Sequence, residues 1–237
     1  EALPAYIAVP DNYPTHASAA EALYSAAACY NNVGRPDEVF GVYERLASNY
    51  PESEYAADAF ISVGDARYNE TIELAEDDPV RIVKLKEALA LYKSVLELES
   101  ASEQSKHTVL TYIEETEEAL AALEYGTIET AFNAALSAIG GADVTPAQTQ
   151  AVLDALADFN TLTETYPGSE SMQVALVQMG DGYVQLERWQ DAINTFGRLT
   201  AFYTDASGIR VTPPNPNLDR ALRRAETQIV ADRKSVV

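Results

Sequence analysis

The sequence predicts an all-α fold, a solenoid of stacked antiparallel helix pairs, and three observations lead there. Asn12-Tyr13-Pro14 returns after 37 residues as Asn49-Tyr50-Pro51, and Thr165-Tyr166-Pro167 lies 116 residues further on, close to three more such periods. Repetition at this period marks units that bury their apolar faces only by stacking on neighbours. Between the tripeptides, apolar and small residues recur at helical rather than alternating spacing. Alanine is abundant among Leu, Glu and Tyr, which favours close-packed helices, and 47% apolar residues suffice for a continuous core.

Residues 1–14 read as the end of a preceding, partly missing repeat. Tyr6 stands eight residues before Pro14 and Ala2 four earlier, the spacing of a closing helix, although Pro4 and Pro10 argue against a regular one. The start lacks Met and any charged-then-apolar signal pattern, so either a leader has been removed or the chain begins inside a longer one. Residues 15–51 form the first full unit. A helix over 16–33 carries Ala19, Ala20, Leu23, Ala26, Ala27 and Tyr30 and stops at Gly34, a residue suited to the left-handed cap. Pro36 opens its partner at the first helical position, with Val39, Phe40, Tyr43 and Leu46 on one face. Residues 52–100 form the second unit. Its first helix runs from Pro51 to Tyr68 with Phe60, Gly64 and Arg67. Its second, with Ala88, Tyr92 and Val95, arrives 12 residues late, which predicts longer helices or a projecting loop.

Residues 101–167 read as a degenerate helical unit. A helix over 103–125 exposes Glu114, Glu115, Glu117 and Glu118, Gly126 interrupts it, and a further helix over 127–139 ends at Gly140-Gly141. Thr145-Pro146 then gives a cap followed by a proline, and Ala155, Phe159 and Pro167 restore the closing spacing. Residues 168–204 are the third unit, with Leu176, Met179, Gly180 and Tyr183 on a first helix and Ala192, Phe196 and Leu199 on a second that begins at Trp189. Residues 205–237 are a linker and an amphipathic C-terminal capping helix over 218–231, which a solenoid needs at its end.

Chemistry is sparse. The net charge of −21 repels phosphate backbones, so nucleic acid is not an expected partner. No run approaches the length of a transmembrane segment. Cys29 is alone, which excludes an intrachain disulfide and a thiolate metal site; its place in an Ala-rich helix predicts burial. His16 and His107 have no ligands at metal spacing, and Asp77-Asp78 lacks the pattern of a calcium loop. There is no phosphate loop and no nucleophile elbow. Catalytic residues, cofactors and metals are therefore not expected. The charge is uneven: residues 205–237 hold six bases against four acids, net +2, so the rest carries −23. Such an acidic surface is either simply solvated or an acidic groove for basic partners, with Arg220, Arg223 and Arg224 as a possible docking tail.

The ladders Ala27, Tyr30, Val39, Tyr43, Pro51 and Gly180, Tyr183, Ala192, Phe196 resemble the tetratricopeptide repeat (TPR), with Gly34 and Trp189 at the family's turn glycine and following aromatic. The resemblance implies a right-handed superhelix whose first helices line a concave groove for a protein or peptide partner. Carried over residue by residue, the groove consists of Tyr24, Asn31 and Asn32, then Asp58, Ile61, Asp65, Tyr68 and Asn69, then Val177, Asp181 and Gln185. TPRs that clamp chaperone carboxylates use Lys and Arg on this face, where this chain has Asp and Asn. The segment Asn49-Tyr50-Pro51-Glu52-Ser53-Glu54-Tyr55-Ala56-Ala57-Asp58-Ala59, with Tyr166-Pro167-Gly168-Ser169, is similar to bacterial cell-envelope TPR proteins of the Tol-Pal-associated and outer-membrane-assembly types. The lipidated Cys of the latter is absent. The resemblance implies a non-catalytic scaffold in the periplasm or cell envelope, with a cytoplasmic location as the alternative. A self-assembling structural component, or a regulatory region of a longer chain, are the competing functions.

Overall fold

The structure is a computed structural model that describes residues 2–75, 78–139, 145–209, 211–212, 219–220, 223 and 227. Its described helices are α1 (Ala2–Asn12), α2 (Ala19–Asn32), α3 (Pro36–Asn49), α4 (Ala56–Glu70), α5 (Val80–Glu97), α6 (Glu103–Ala138), α7 (Pro146–Thr165), α8 (Glu170–Gln185) and α9 (Trp189–Phe202). The all-α class holds among these residues, and helix pairs recur as α2 with α3, α4 with α5 and α8 with α9. The chain divides into two compact units, Glu1–Leu120 and Ala121–Val237, with the division falling inside α6.

The tyrosine-proline tripeptides are helix punctuation. In each, the tyrosine carbonyl accepts from the backbone N–H three residues on: His16 to Tyr13 at 3.0 Å, Ser53 to Tyr50 at 3.0 Å, Ser169 to Tyr166 at 3.2 Å. The chain turns there before helix resumes, so α2 and α4 begin at Ala19 and Ala56, later than the spacing predicts. The turns between paired helices repeat as well. Gly34 takes φ +70° and Glu187 φ +56°, and the next N–H, of Arg35 or Arg188, returns to Tyr30 O or Tyr183 O at 3.1 and 2.9 Å. Short turns of this kind make the paired helices antiparallel.

In unit 1, Leu23, Ala26 and Ala27 of α2 pack with Val42, Leu46 and Ala47 of α3 and with Ala56 and Ala59 of α4. Leu3, Tyr6 and Ile7 of α1 close this core from the other side. A second core joins Ala88, Tyr92 and Val95 of α5 to Val109 and Ile113 of α6. In unit 2, Phe132 and Phe159 meet edge to face at 5.4 Å, and Ala192 and Phe196 of α9 pack against Tyr183 and Val184 of α8. The predicted interlock of small and aromatic residues is present in both units. A Cβ on Gly64 would lie 2.5 Å from Tyr92 Cε1, and one on Gly180 would lie 2.1 Å from Phe196 Cε1.

Four expectations change. α1 runs through Pro4 and Pro10, because Pro4 stands in the first turn, where the N–H has no intrahelical partner, and Pro10 removes one bond near the end. α6 continues through Gly126, which is exposed and costs about 1 kcal/mol of propensity, too little to break 36 helical residues. Cys29 is only partly buried, because the packed face of α2 centres on Leu23, Ala26 and Ala27 and Cys29 lies at its edge. The late second helix of the second unit is partly an added turn, since α5 has 18 residues against 14 for α3. Gly140-Gly141, Asp77, Arg224 and most of the capping helix lie outside the described residues. Arg220 is exposed, and Arg223 pairs with Asp219 at 3.0 Å.

Candidate functional site

Helices α2 and α4 are the first members of successive pairs, α6 follows the second pair, and in unit 1 their side chains converge. On α4, Asp58, Ile61, Asp65 and Tyr68 recur at three- and four-residue steps and so share a face. Asp58 Oδ2 accepts from the Tyr24 hydroxyl of α2 at 3.2 Å, while the Tyr24 ring stacks on Tyr55 with centroids 4.9 Å apart. Two turns along, Asp65 Oδ1 accepts from the Tyr92 hydroxyl of α5 at 2.8 Å. Both tyrosines are held protonated: burial, then the neighbouring carboxylate, raises each pKa. Asp65 is also pushed up, because burial outweighs the favourable bond from Tyr92.

Beside this second pair lies a cleft of about 260 Å³. Asp65, Tyr68 and Asn69 of α4 form one wall, Tyr112, Glu115 and Thr116 of α6 the other, and Tyr92 of α5 lines it between them. Tyr92 and Tyr112 are 5.4 Å apart and tilted by 54°. Thr116 is fully buried, and its hydroxyl donates back to Tyr112 O, so it shapes the wall without presenting a donor.

Of the residues expected in a groove, the cleft brings together Asp65, Tyr68 and Asn69. Tyr24 and Asp58 form the neighbouring pair. Ile61 packs into the core under the cleft. Asn31 and Asn32 are exposed at the end of α2, and Asn31 O caps the turn by accepting from Gly34 N. In unit 2, Val177 and Asp181 are half-buried, Gln185 is exposed, and Asp181 has an interaction partner. The polar cluster there is centred elsewhere: Tyr125 donates to Glu129 Oε1 at 2.8 Å and Gln178 Nε2 to the same atom at 3.3 Å. Burial, reinforced by Glu129, raises the Tyr125 pKa to about 12.

Sequence reasoning missed Tyr112, Glu115 and Thr116 as wall residues. Their spacing of three and one along α6 is the available signal, masked by a run of glutamates that reads as solvated surface. Tyr92 was expected only as a packing residue, and it does both jobs. Among the described residues, no group of three or more His, Cys, Asp or Glu is placed to hold a metal ion, and no helix is long and apolar enough to cross a membrane. His16 is exposed and its Nδ1 accepts from Ser18 N; Asp78 Oδ1 accepts from Val80 N at the start of α5.

No curated protein shows detectable similarity to the chain. Residues 21–53, which span nearly all of α2, the whole of α3 and the turn after it, match the family model of the tetratricopeptide repeat.

Proposed function

We propose that the chain is a non-catalytic scaffold that binds a protein partner, held as a peptide segment against the α2, α4 and α6 face of unit 1. The observation that carries this reading is the cleft between α4 and α6, where tyrosines from both walls and a few polar groups converge. Tyrosine supplies amphipathic contact area with little rotamer entropy to lose, and Asn69 can both donate to and accept from a peptide backbone. The family match over residues 21–53 supports the same class of function, since tetratricopeptide repeats bind protein partners. A bacterial cell-envelope setting is part of this reading, supported by the Tyr-Pro segments around Tyr50 and Tyr166; detection of the native protein in periplasmic rather than cytoplasmic fractions tests it.

Selection of peptides from a random display library on the immobilised chain tests the scaffold itself. Asn69 is exposed at the cleft, so Asn69→Trp fills the opening without disturbing the core. Selected peptides are expected to lose at least about tenfold in affinity for Asn69→Trp, as blocking a central contact does. Peptides that bind the variant and the parent equally would remove this face from the proposal.

A second reading, self-association, is favoured by one observation: the excess of base in residues 205–237 against the acid of the remainder. It predicts a mass that depends on salt.

A further inference from the structure

Three times the described chain builds the same small device, a guanidinium over an aromatic ring with a carboxylate at its edge. Arg35 lies 5.3 Å from the Tyr30 ring centroid and pairs with Glu38. Arg188 lies 5.3 Å from Tyr183 and pairs with Asp191 at 2.7 Å. Arg67 lies 4.5 Å over Phe40 and pairs with Glu70 at 3.0 Å and Glu87 at 3.2 Å. In each the quadrupole of the ring and the charge of the carboxylate act on one planar cation.

The α4–α6 cleft holds two of these three parts, ring and carboxylate, without the cation. Tyr68 and Tyr112 give ring surface beside the buried Tyr92, Asp65 and Glu115 give carboxylates on opposite walls, and the residues lining it include no Lys or Arg. We infer that the cleft takes the guanidinium of an arginine on the partner, stacked on the tyrosine rings and hydrogen-bonded to Asp65 and Glu115. This rests on the peptide-binding reading above and names the chemistry of its anchor. Arginine fits better than lysine, because a flat cation can stack on a ring face while its edge meets a carboxylate. An arriving cation also relieves Asp65, whose carboxyl is raised by burial. The surrounding net charge of −21 draws such a partner in from solution.

The test uses four blocked pentapeptides, alanine at every position but the centre, which is Arg, Lys, citrulline or Glu. Citrulline keeps the shape and hydrogen-bonding edge of arginine without its charge. Binding to the full chain is read from the tyrosine ring NMR signals, assigned with Tyr→Phe variants. The Arg peptide is expected to shift Tyr68 and Tyr112, the citrulline peptide to bind about tenfold more weakly, and the Glu peptide to leave these signals still. Glu115 is exposed, so Glu115→Gln preserves the fold and should weaken the Arg peptide several-fold while leaving the citrulline peptide unchanged. Equal binding of Arg and citrulline, equal binding of Arg and Lys, or shifts confined to rings outside the cleft would overturn the inference. The two readings fail separately. Library peptides blocked by Asn69→Trp but lacking any need for Arg keep the groove and discard the cation; an Arg peptide that moves Tyr68 and Tyr112 while selected peptides ignore Asn69→Trp does the reverse.

Discussion

Glu187 and Gly34 occupy the same place in two turns and solve it differently. Both are left-handed, at φ +56° and φ +70°, yet only the glycine lacks the Cβ that makes this region costly. Glu187→Gly is therefore expected to stabilise the protein by about 1 kcal/mol, and Gly34→Ala to destabilise it by a similar amount, both measurable by urea denaturation. The sequence marks the first turn through Gly34 but hides the second, because nothing about a glutamate announces a positive φ. Asp65 carries a prediction about pH. Burial raises its pKa above the ordinary 3.8, so as pH rises the unfolded chain releases this proton first. Stability from this group is then greatest below the ordinary value and declines until the pH passes the folded value, leaving a penalty at neutrality. Asp65→Asn keeps an acceptor for Tyr92 and removes the charge. It should melt slightly higher than the parent at pH 7, and the gap should close on acidification toward the ordinary carboxylate range. A variant that melts well below the parent at pH 7 would show that the Tyr92 bond outweighs the burial of charge.

At the scale of helices, space rather than propensity decides what a glycine does. Gly126 has nothing within 4 Å of where a Cβ would sit, so Gly126→Ala should gain close to the full helix preference of alanine, about 1 kcal/mol. Gly180→Ala gains the same preference but drives a methyl into the Phe196 ring, and its net effect should be a loss of about 1–3 kcal/mol. Phe196→Leu in the same molecule makes room, so the double variant should lose less than the two single losses added together; strict additivity would mean that the helices shift apart instead. The close approach was readable because Gly180, Tyr183, Ala192 and Phe196 keep the spacing of Ala27, Tyr30, Val39 and Tyr43. So was the start of α7, where Thr145 Oγ1 accepts from Gln148 N and the Gln148 side chain returns to Thr145 N, a reciprocal cap written as Thr-Pro-Ala-Gln. The continuity of α6 was less readable. Glycine at 126 looks like a stop, but a stop needs a turn partner as well as a weak residue, and the hydroxyls of Thr127 and Thr130 instead donate back to the helix, to Leu123 O at 3.2 Å and Gly126 O at 2.9 Å.

For the whole molecule the dominant quantity is charge, and it separates the two functional readings. Composition exposes the −21 and the opposed sign of residues 205–237, yet the wall opposite Asp65 is invisible in it, because a cleft needs two helices and spacing along the chain describes only one at a time. If the chain works as a groove-bearing scaffold, acidic copies repel one another at low salt, and screening that repulsion at high salt supplies no attraction in its place. Size exclusion with light scattering should then return the 25.7 kDa monomer at both low and high salt. If instead the basic tail of one copy docks on the acidic body of the next, the contact is electrostatic and solvent-screened. Its range shrinks from about 30 Å at 0.01 M salt to about 3 Å at 1 M, so the measured mass should fall toward the monomer as salt is added. Charge reversal at Arg220 and Arg223, both exposed side chains, should abolish such a complex at low salt. A higher mass that salt and these reversals leave unchanged would point to apolar contact between copies, and neither the tail nor the α4–α6 cleft would then explain it.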